Sequence, residues 1–353
     1  MNSMIVNTLP SPTWNWLHMN EQTIEDFPKL EEGAVLIEVP QEVEAEAKEA
    51  FTTSNVKTGM GEEFLNMIEN SGIDIDYFEA KGDTRVSEPL RVEIEYQDQV
   101  NAVNAAEILV PEGSHLVCVM NFTSDDKARG NAAMETLYHV AKNASLTLIQ
   151  VTSLSDEVNF FNDIGGECDE KGEFSLIQVV LGGKKTYLGS HTALSGYKSR
   201  LSTDLAYLVK GNSGLDVNYV ASHTGKKTGC DIRANGVLRD HGQKMFRGTI
   251  DFVKGCAGAV GSEVEDVLLM DETVSNQTIP VILCAEEDVE GTHGATIGKL
   301  PEDLMFYLKS RGMSEKAIYE MMAIARIEAV ADKITDEKTR TLIANRLGKA
   351  EEV

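Results

Sequence analysis

Three stretches in the middle of the chain share one form: Ala141-Lys-Asn-Ala-Ser145, Val209-Lys-Gly-Asn-Ser213 and Val253-Lys-Gly-Cys-Ala257. Each is an apolar residue, a lysine, then small or turn-forming residues ahead of a new segment. Small residues, Gly and Asn are what a tight corner asks for. Between such corners run short segments that alternate apolar and polar, beginning with Leu90-Arg-Val-Glu-Ile-Glu-Tyr96. A period of two puts one face of a strand into a core and the other outside. Leu116–Phe122, Leu146–Val151, Phe174–Leu181, Leu215–Ala221, Thr249–Val253 and Val267–Met270 are further short strands of this kind. Two architectures take many short strands joined by small-residue corners. A β-solenoid stacks coils over a continuous aliphatic core, and a β-sandwich packs two sheets face to face. Aromatic residues make up only 6% of the chain, so Val, Ile, Leu, Met and Ala must fill the interior. That composition suits a narrow solenoid, but the residues alone leave both architectures open.

The flanks read differently. Residues 1–85 are polar, interrupted by Gly and Pro, and carry two helical stretches. Gln41–Phe51 is rich in Glu and Ala, which favour helix. Gly61–Ser71 holds Phe64, Leu65 and Ile68 at helical spacing. The strand-bearing core runs over 86–298. The last section, 299–353, is helical: Pro301 suits a first turn, and Leu304, Met305 and Leu308 form a stripe. Gly312 suits a left-handed helix stop and Ser314 a cap for the next helix. That helix repeats apolar residues at Ile318, Met321, Met322 and Ala325, and Thr335 is placed to cap a last helix ending near Gly348.

Charge limits the partners. Acidic residues number 57 against 32 basic, a formal charge of −25. Nucleic acid and anionic membranes both need positive surface, so neither is expected. The acid is concentrated early: Glu21–Glu107 holds 22 acidic and 6 basic residues, whereas the chain from Pro301 holds 10 and 9. No run approaches the ~18 apolar residues of a membrane span. Met1–Pro10 has neither the positive start nor the apolar stretch of a secretory signal. A cytoplasmic protein is expected. Cys118, Cys168, Cys230, Cys256 and Cys284 are scattered with no CxxC pair, so free thiols are expected and no local zinc or cluster motif stands out.

Few motifs carry chemistry. Gly182-Gly-Lys-Lys-Thr186 and Gly225-Lys-Lys-Thr228 have phosphate-binding residue types but miss the P-loop spacing; the first is better read as a turn between strands. No Gly-x-Ser-x-Gly elbow accompanies Ser190-His191 or Asp240-His241. His293 stands apart. Gly291, Thr292, Gly294 and Ala295 surround it with little bulk, where a β region gives way to helix. A small-residue turn there would present imidazole to a metal or a partner. Cys284 closes the apolar run just upstream, either as a buried side chain or as a thiol near the same edge.

His293-Gly-Ala-Thr-Ile-Gly298 also carries a resemblance. With His223-Thr-Gly-Lys-Lys-Thr-Gly-Cys-Asp231, Gly236-Val-Leu238, Phe246-Arg-Gly-Thr-Ile250 and Lys254-Gly-Cys-Ala257, it resembles the core of the SufB/SufD family of iron–sulfur cluster assembly proteins. The His-Gly-Ala-Thr form, followed by Phe306-Tyr-Leu-Lys-Ser-Arg-Gly312, is more similar to the SufD branch. The likeness is good over roughly 185–330 and thinner before it, where Pro12-Thr-Trp-Asn-Trp16 looks like the family's N-terminal segment.

The resemblance implies a mainly β protein: a right-handed parallel β-helix flanked by helical N- and C-terminal regions. It implies a scaffold and not an enzyme, paired with a SufB-like subunit and docking a SufC-like ABC ATPase on its C-terminal helices. Phe306, Tyr307, Arg311, Met321 and Met322 are the candidate partner-binding residues. No cofactor is expected to be tightly bound to the chain alone. A transient iron–sulfur cluster would form at the partner interface, with His293 as candidate ligand and Cys284 a weaker one. Two departures bear on this: Gly291 stands where some SufD proteins carry a cysteine, and Gly294 where SufB sequences carry a glutamate. A homodimeric scaffold, or a solenoid enzyme acting on polysaccharide through paired carboxylates, are the alternatives.

Overall fold

The computed structural model describes residues 3–13 and 15–349; Trp14 of the N-terminal segment lies outside them. The N-terminal section holds β1 (Met4–Val6), β2 (Gln22–Ile24), β3 (Glu31–Glu32), β4 (Leu36–Glu38), β5 (Val43–Lys48), α1 (Glu62–Glu69) and β6 (Ile75–Ala80). The central strands are β7 (Leu90–Tyr96), β8 (Gln99–Val110), β9 (His115–Ser124), β10 (Arg129–Val140), β11 (Ser145–Ser153), β12 (Val158–Cys168), β13 (Glu173–Val180) and β14 (Lys185–Leu194). They continue as β15 (Arg200–Val209), β16 (Gly214–His223), β17 (Gly229–Leu238), β18 (Gln243–Phe252), β19 (Ala259–Leu269), β20 (Ser275–Cys284) and β21 (Val289–Gly298). Helices α2 (Glu302–Ser310), α3 (Glu315–Ala331) and α4 (Glu337–Lys349) follow.

The pairing decides between the two architectures. From β7 on, each strand pairs in parallel with the strand two places along, not with its neighbour in sequence. Even-numbered strands build one sheet and odd-numbered strands the other, so each coil gives one strand to each. The result is a parallel β-solenoid of about eight turns. The register is strict: Val110, Val140, Cys168, Leu194, His223, Phe252 and Cys284 stack at one corner. The lysine repeats mark corners whose third residue turns left-handed, at Asn143 (φ 54°), Gly211 (φ 59°) and Gly255 (φ 107°). Asn and Gly adopt that conformation most readily.

The interior is aliphatic with stacked aromatic rungs. Tyr138 and Phe174 rings lie 3.9 Å apart, and Phe122 and Phe160 rings 4.8 Å apart. Gly236 makes room for one such ring: a Cβ there would sit 2.0 Å from the Tyr207 ring. Several polar side chains inside bond to one another. Asn162 and Gln178 both donate to Gln150 Oε1 at 2.7 Å, and the Tyr219 hydroxyl donates to Gln178.

The two outer faces are also covered. The C-terminal helices lie on the odd-numbered sheet, where Ile318, Ala323, Ile327 and Val330 meet Ile149, Val179, Ala206 and Val237. Ion pairs Arg239–Glu320, Lys333–Asp204 and Arg91–Asp336 fasten them. Ser314 caps α3, accepting from the Ala317 N–H, and Gly312 is left-handed as the sequence suggests. The last helix is capped by Asp336, which accepts from the Thr339 N–H, and not by Thr335. An aspartate one residue on does the same work with a charged acceptor.

The N-terminal section is largely irregular, and its regular elements are short strands, a 3₁₀ turn at Asn15–Leu17 and, among the described residues, α1 as its α-helix; the flank is thus less helical than expected. Gly61–Ser71 does form α1, but the stretch expected as helix at Gln41–Phe51 contains strand β5. The reason is tertiary. Residues 43–48 pair antiparallel with β6, itself part of the even-numbered sheet, and those ladder bonds outweigh a weak Glu/Ala propensity. The section then runs as a strap over the outer face of that sheet. Buried Glu107 accepts from the N–H and hydroxyl of both Thr52 and Thr53. Met60 N–H donates to Asp163 Oδ1 at 2.8 Å, and Arg247 bonds both Asp216 and the Met19 carbonyl.

Under this strap lies a pair of fully buried carboxyls, Glu135 and Asp163, side by side in the β10–β12 register. Neither Glu135 oxygen has a hydrogen-bond partner. Burial, and then the Asp163 charge, push the Glu135 carboxyl well up; burial pushes Asp163 up to about 7. The folded chain therefore holds the Glu135 proton more tightly than the unfolded one does. That stabilisation is complete below the unfolded value of about 4.3 and is lost as pH rises toward the folded value. Glu135→Gln removes the loss. We expect the variant to exceed wild type in stability by ~1–3 kcal/mol at pH 8, with the gap narrowing toward pH 4.5; denaturant melts across pH measure it.

Candidate functional site

The two ends of the solenoid differ. At the first coil, β4 and β5 pair antiparallel with β7 and β6 and close the ladder. At the last coil no further strand pairs with β20 or β21 among the described residues: β20 is mostly half-exposed and β21 is exposed along nearly its whole length.

His293 lies on this open coil, in the middle of β21. This corrects its expected place on a turn. The small residues around it continue a strand because the parallel ladder to β19 supplies their pairing. Gly261, Glu263, Glu265 and Val267 of β19 lie in register with Gly291, His293, Ala295 and Ile297. Val267 belongs to the solenoid core, and Gly261 packs on Ile250 and Cys230. His293 therefore sits on the row that points inward in every earlier coil. No further coil covers it, so its ring is exposed.

Across the mouth, β20 offers Pro280, Ile282 and Cys284 on its inward row. Proline is tolerated there because β20 is an edge strand. Ile282 lies against Gly291, which leaves His293 four residues into its strand and Cys284 out at the corner. Cys284 is the exposed cysteine, its thiol donating to the Glu286 carbonyl at 3.1 Å. The other four are buried; burial raises each of their thiol pKa values, Cys230 to about 12. A thiol held protonated is a poor ligand or nucleophile. His223 is likewise structural: its ring contacts Thr228 Oγ1 at 2.7 Å and Cys230 Sγ at 3.2 Å, and burial lowers it to about 4.

The floor of the mouth is charged. Lys244 and Glu265 form an ion pair of 2.5 Å with both side chains fully buried. Glu265 also accepts from Tyr207 at 3.1 Å and Thr278 at 2.7 Å. Glu263 lies beside them at 2% exposure, its carboxyl pushed up to about 8 by burial and then by Glu265. Sequence reasoning missed this group. Gly261-Ser-Glu-Val-Glu265 looks like an outward polar row, and only the register to Val267 turns its glutamates inward. Among the described residues no three His, Cys, Asp or Glu side chains converge on a metal position. A metal at His293 would need ligands from outside the chain.

The helical candidates fall in two groups. Phe306 is 76% exposed, and Tyr307, exposed beside it, carries the Arg311 guanidinium 5.1 Å from its ring centre. Met321 is also exposed, whereas Met322 packs partly into the helix–sheet core. The buried stripe of α3 thus runs through Ile318, Ala323, Ile327 and Val330, and Met321 lies off it. The Gly-Gly-Lys-Lys stretch is a turn between β13 and β14, with Gly183 at φ 111°.

An exposed ring contributes little to folding, so His293→Ala should change stability by no more than ~0.5 kcal/mol. A melting-temperature shift beyond that would make the ring structural.

The family described as "SUF system FeS cluster assembly, SufBD core domain" matches residues 94–325. The chain is 25% identical over 297 residues to the iron–sulfur cluster assembly protein SufD of Escherichia coli, covering 82% of this chain and 69% of that protein. It is 28% identical over 183 residues to a SufBD family protein of Staphylococcus saprophyticus, covering 52% of this chain and 39% of that one. A Mycobacterium tuberculosis SufBD family protein is 33% identical over 125 residues, 35% of this chain and 14% of its own length. No helix among the described residues is long and apolar enough to cross a membrane.

Proposed function

The chain belongs to the SufBD core family of the SUF system of iron–sulfur cluster assembly, and from that membership we propose that it is a SufD-like scaffold subunit. In this reading it is not itself an enzyme. It pairs with a SufB-like subunit through the open end of the solenoid and presents His293 to a nascent cluster there. The observation that carries the reading is the uncovered β21, with His293 exposed at its centre. An unpaired strand edge is a template for another chain, and strand addition is a common docking mode. Neutral imidazole is a borderline ligand that suits iron. Gly291 and Gly294 offer neither thiolate nor carboxylate, so the partner would supply those ligands.

The SufC-like ATPase would dock on the exposed apolar residues of α2 and α3. Phe306, Tyr307, Arg311 and Met321 are accessible for this, while Met322 is better placed to hold α3 on the sheet. ATP-driven dimerisation of the ATPase would then strain the subunit interface and open the assembly site. The same free edge admits a second copy of this chain, which is the homodimer reading. Mass measurement of the complex that survives co-expression distinguishes the two. The cytoplasm, where iron and sulfide donors operate, is the compartment this role requires.

Two outcomes test the proposal. His293→Ala complexes should assemble and melt like wild type but hold several-fold less iron and sulfide after reconstitution; equal loading would remove His293 from the site. Phe306→Asp should leave helicity unchanged, because its ring is in solvent, yet weaken ATPase capture by 10-fold or more, about 1.4 kcal/mol. Undiminished capture would move the docking face elsewhere.

A further inference from the structure

A buried carboxyl lies one coil below His293, and the fold does not use all of it. Glu263 is the register partner of His293 on β19, on the same inward row. It is 2% exposed, and its Oε2 has no hydrogen-bond partner. Its neighbours do not need it: Lys244 is already matched by Glu265, whose two oxygens accept from Lys244, Tyr207 and Thr278. Glu263 is a surplus acid in a fully occupied network.

Its position is fixed by a gap in the opposite sheet. The Glu263 carboxyl carbon lies 2.5 Å from where a Cβ on Gly248 would be. Gly248 has none, so the carboxyl reaches across the interior and comes to rest over the glycine. On the next coil, the register partner of Gly248 is Pro280 and that of Glu263 is His293. The carboxyl thus lies one coil below the inward rows that carry His293 and Pro280. A buried acid with an unused oxygen costs stability, and such groups in native folds call for an explanation in terms of what they meet.

We propose that Glu263 is a second metal ligand, so that this chain offers an imidazole–carboxylate pair to a divalent cation, ferrous iron in the reading given above, on which this inference rests. A hard carboxylate oxygen beside a borderline nitrogen suits Fe²⁺. A carboxylate from the preceding coil of this chain would then join the ligands that the partner brings. Two ligands leave most coordination positions open, which fits a site completed by a partner or by sulfide.

Cobalt(II) serves as the probe, titrated into the complex of this chain with the partner that co-purifies with it, and followed by its visible absorption. Wild type should bind saturably. Glu263→Gln keeps the shape and removes an unpaired acid, so it should fold; its dissociation constant should rise by about 10–100-fold. His293→Ala should raise it at least as far. An unchanged constant for Glu263→Gln, with binding lost in His293→Ala, would overturn this inference and leave the reading of His293 standing. Unchanged binding in His293→Ala would sink that reading as well. Should Glu263→Gln melt below wild type, Glu263→Asp replaces it, keeping the charge and shortening the reach. Weakened binding then supports the pair and unchanged binding refutes it.

Discussion

Each coil of this solenoid leaves the N–H and C=O groups of one edge to be satisfied by the next. Parallel pairing between strands two apart in sequence makes that dependence absolute, because no strand closes its ladder within its own coil. Buried backbone groups without partners are costly, so the stack must continue, be capped, or meet another molecule. Antiparallel β4 and β5 cap the first coil. Among the described residues the last coil has no such cap. The unsatisfied edge and the exposed histidine are therefore two faces of one fact, the place where the ladder stops.

The same stacking governs what the interior tolerates. Register puts like residues above one another, so a polar group in one coil meets polar groups in the coils beside it. Gln178 donates to its register partner Gln150 in this way, and Asn162 donates to the same oxygen from the opposite sheet. Toward the open end the interior changes from amide to charge, with Lys244, Glu263 and Glu265 replacing aliphatic side chains. Arg247 and Asp216 do the corresponding work on the outer face, where the buried pair ties the strap to the sheet. Burial disfavours each of these charges alone; together they fix which segment lies against which coil.

Strand segments that alternate apolar and polar residues were legible in the sequence, as Leu90–Tyr96 shows, since it matches β7 residue for residue. Some strands buried on both faces were legible as well, as Leu146–Val151 within β11 shows, while others were not. β10 and β12 are buried from the interior and from the strap, and polar residues such as Glu135, Asn162 and Asp163 stand at their buried positions, so they show no clean alternation. The lysine corners were visible, but their reason, a left-handed third residue, needed the backbone. Local propensity misled at β5, where pairing to β6 prevailed. His293 stood out because its neighbours are small, whereas Glu263 was hidden, since a glutamate in an alternating segment gives no sign of which side it faces. Register is a property of pairs of strands, and a single segment does not contain it.

The strap joins residues made early to residues made much later. Asn7 bonds Asp216, 209 positions away, and the Met19 carbonyl accepts from Arg247, 228 positions away. Arg91 reaches Asp336 across 245 positions. Contacts so distant in sequence are slow to form, because the loop must close before it is rewarded. On the ribosome the strap emerges before the sheet it will cover exists. The coils can stack one after another as they appear, but the outer face of the even-numbered sheet stays bare until the strap folds back. Met4, Val6 and Leu9 must wait in solvent meanwhile, together with the apolar surface on Val103, Ala133 and Phe161 that most of them will seal. The interval between translation and strap closure is when this chain is most exposed to misassociation.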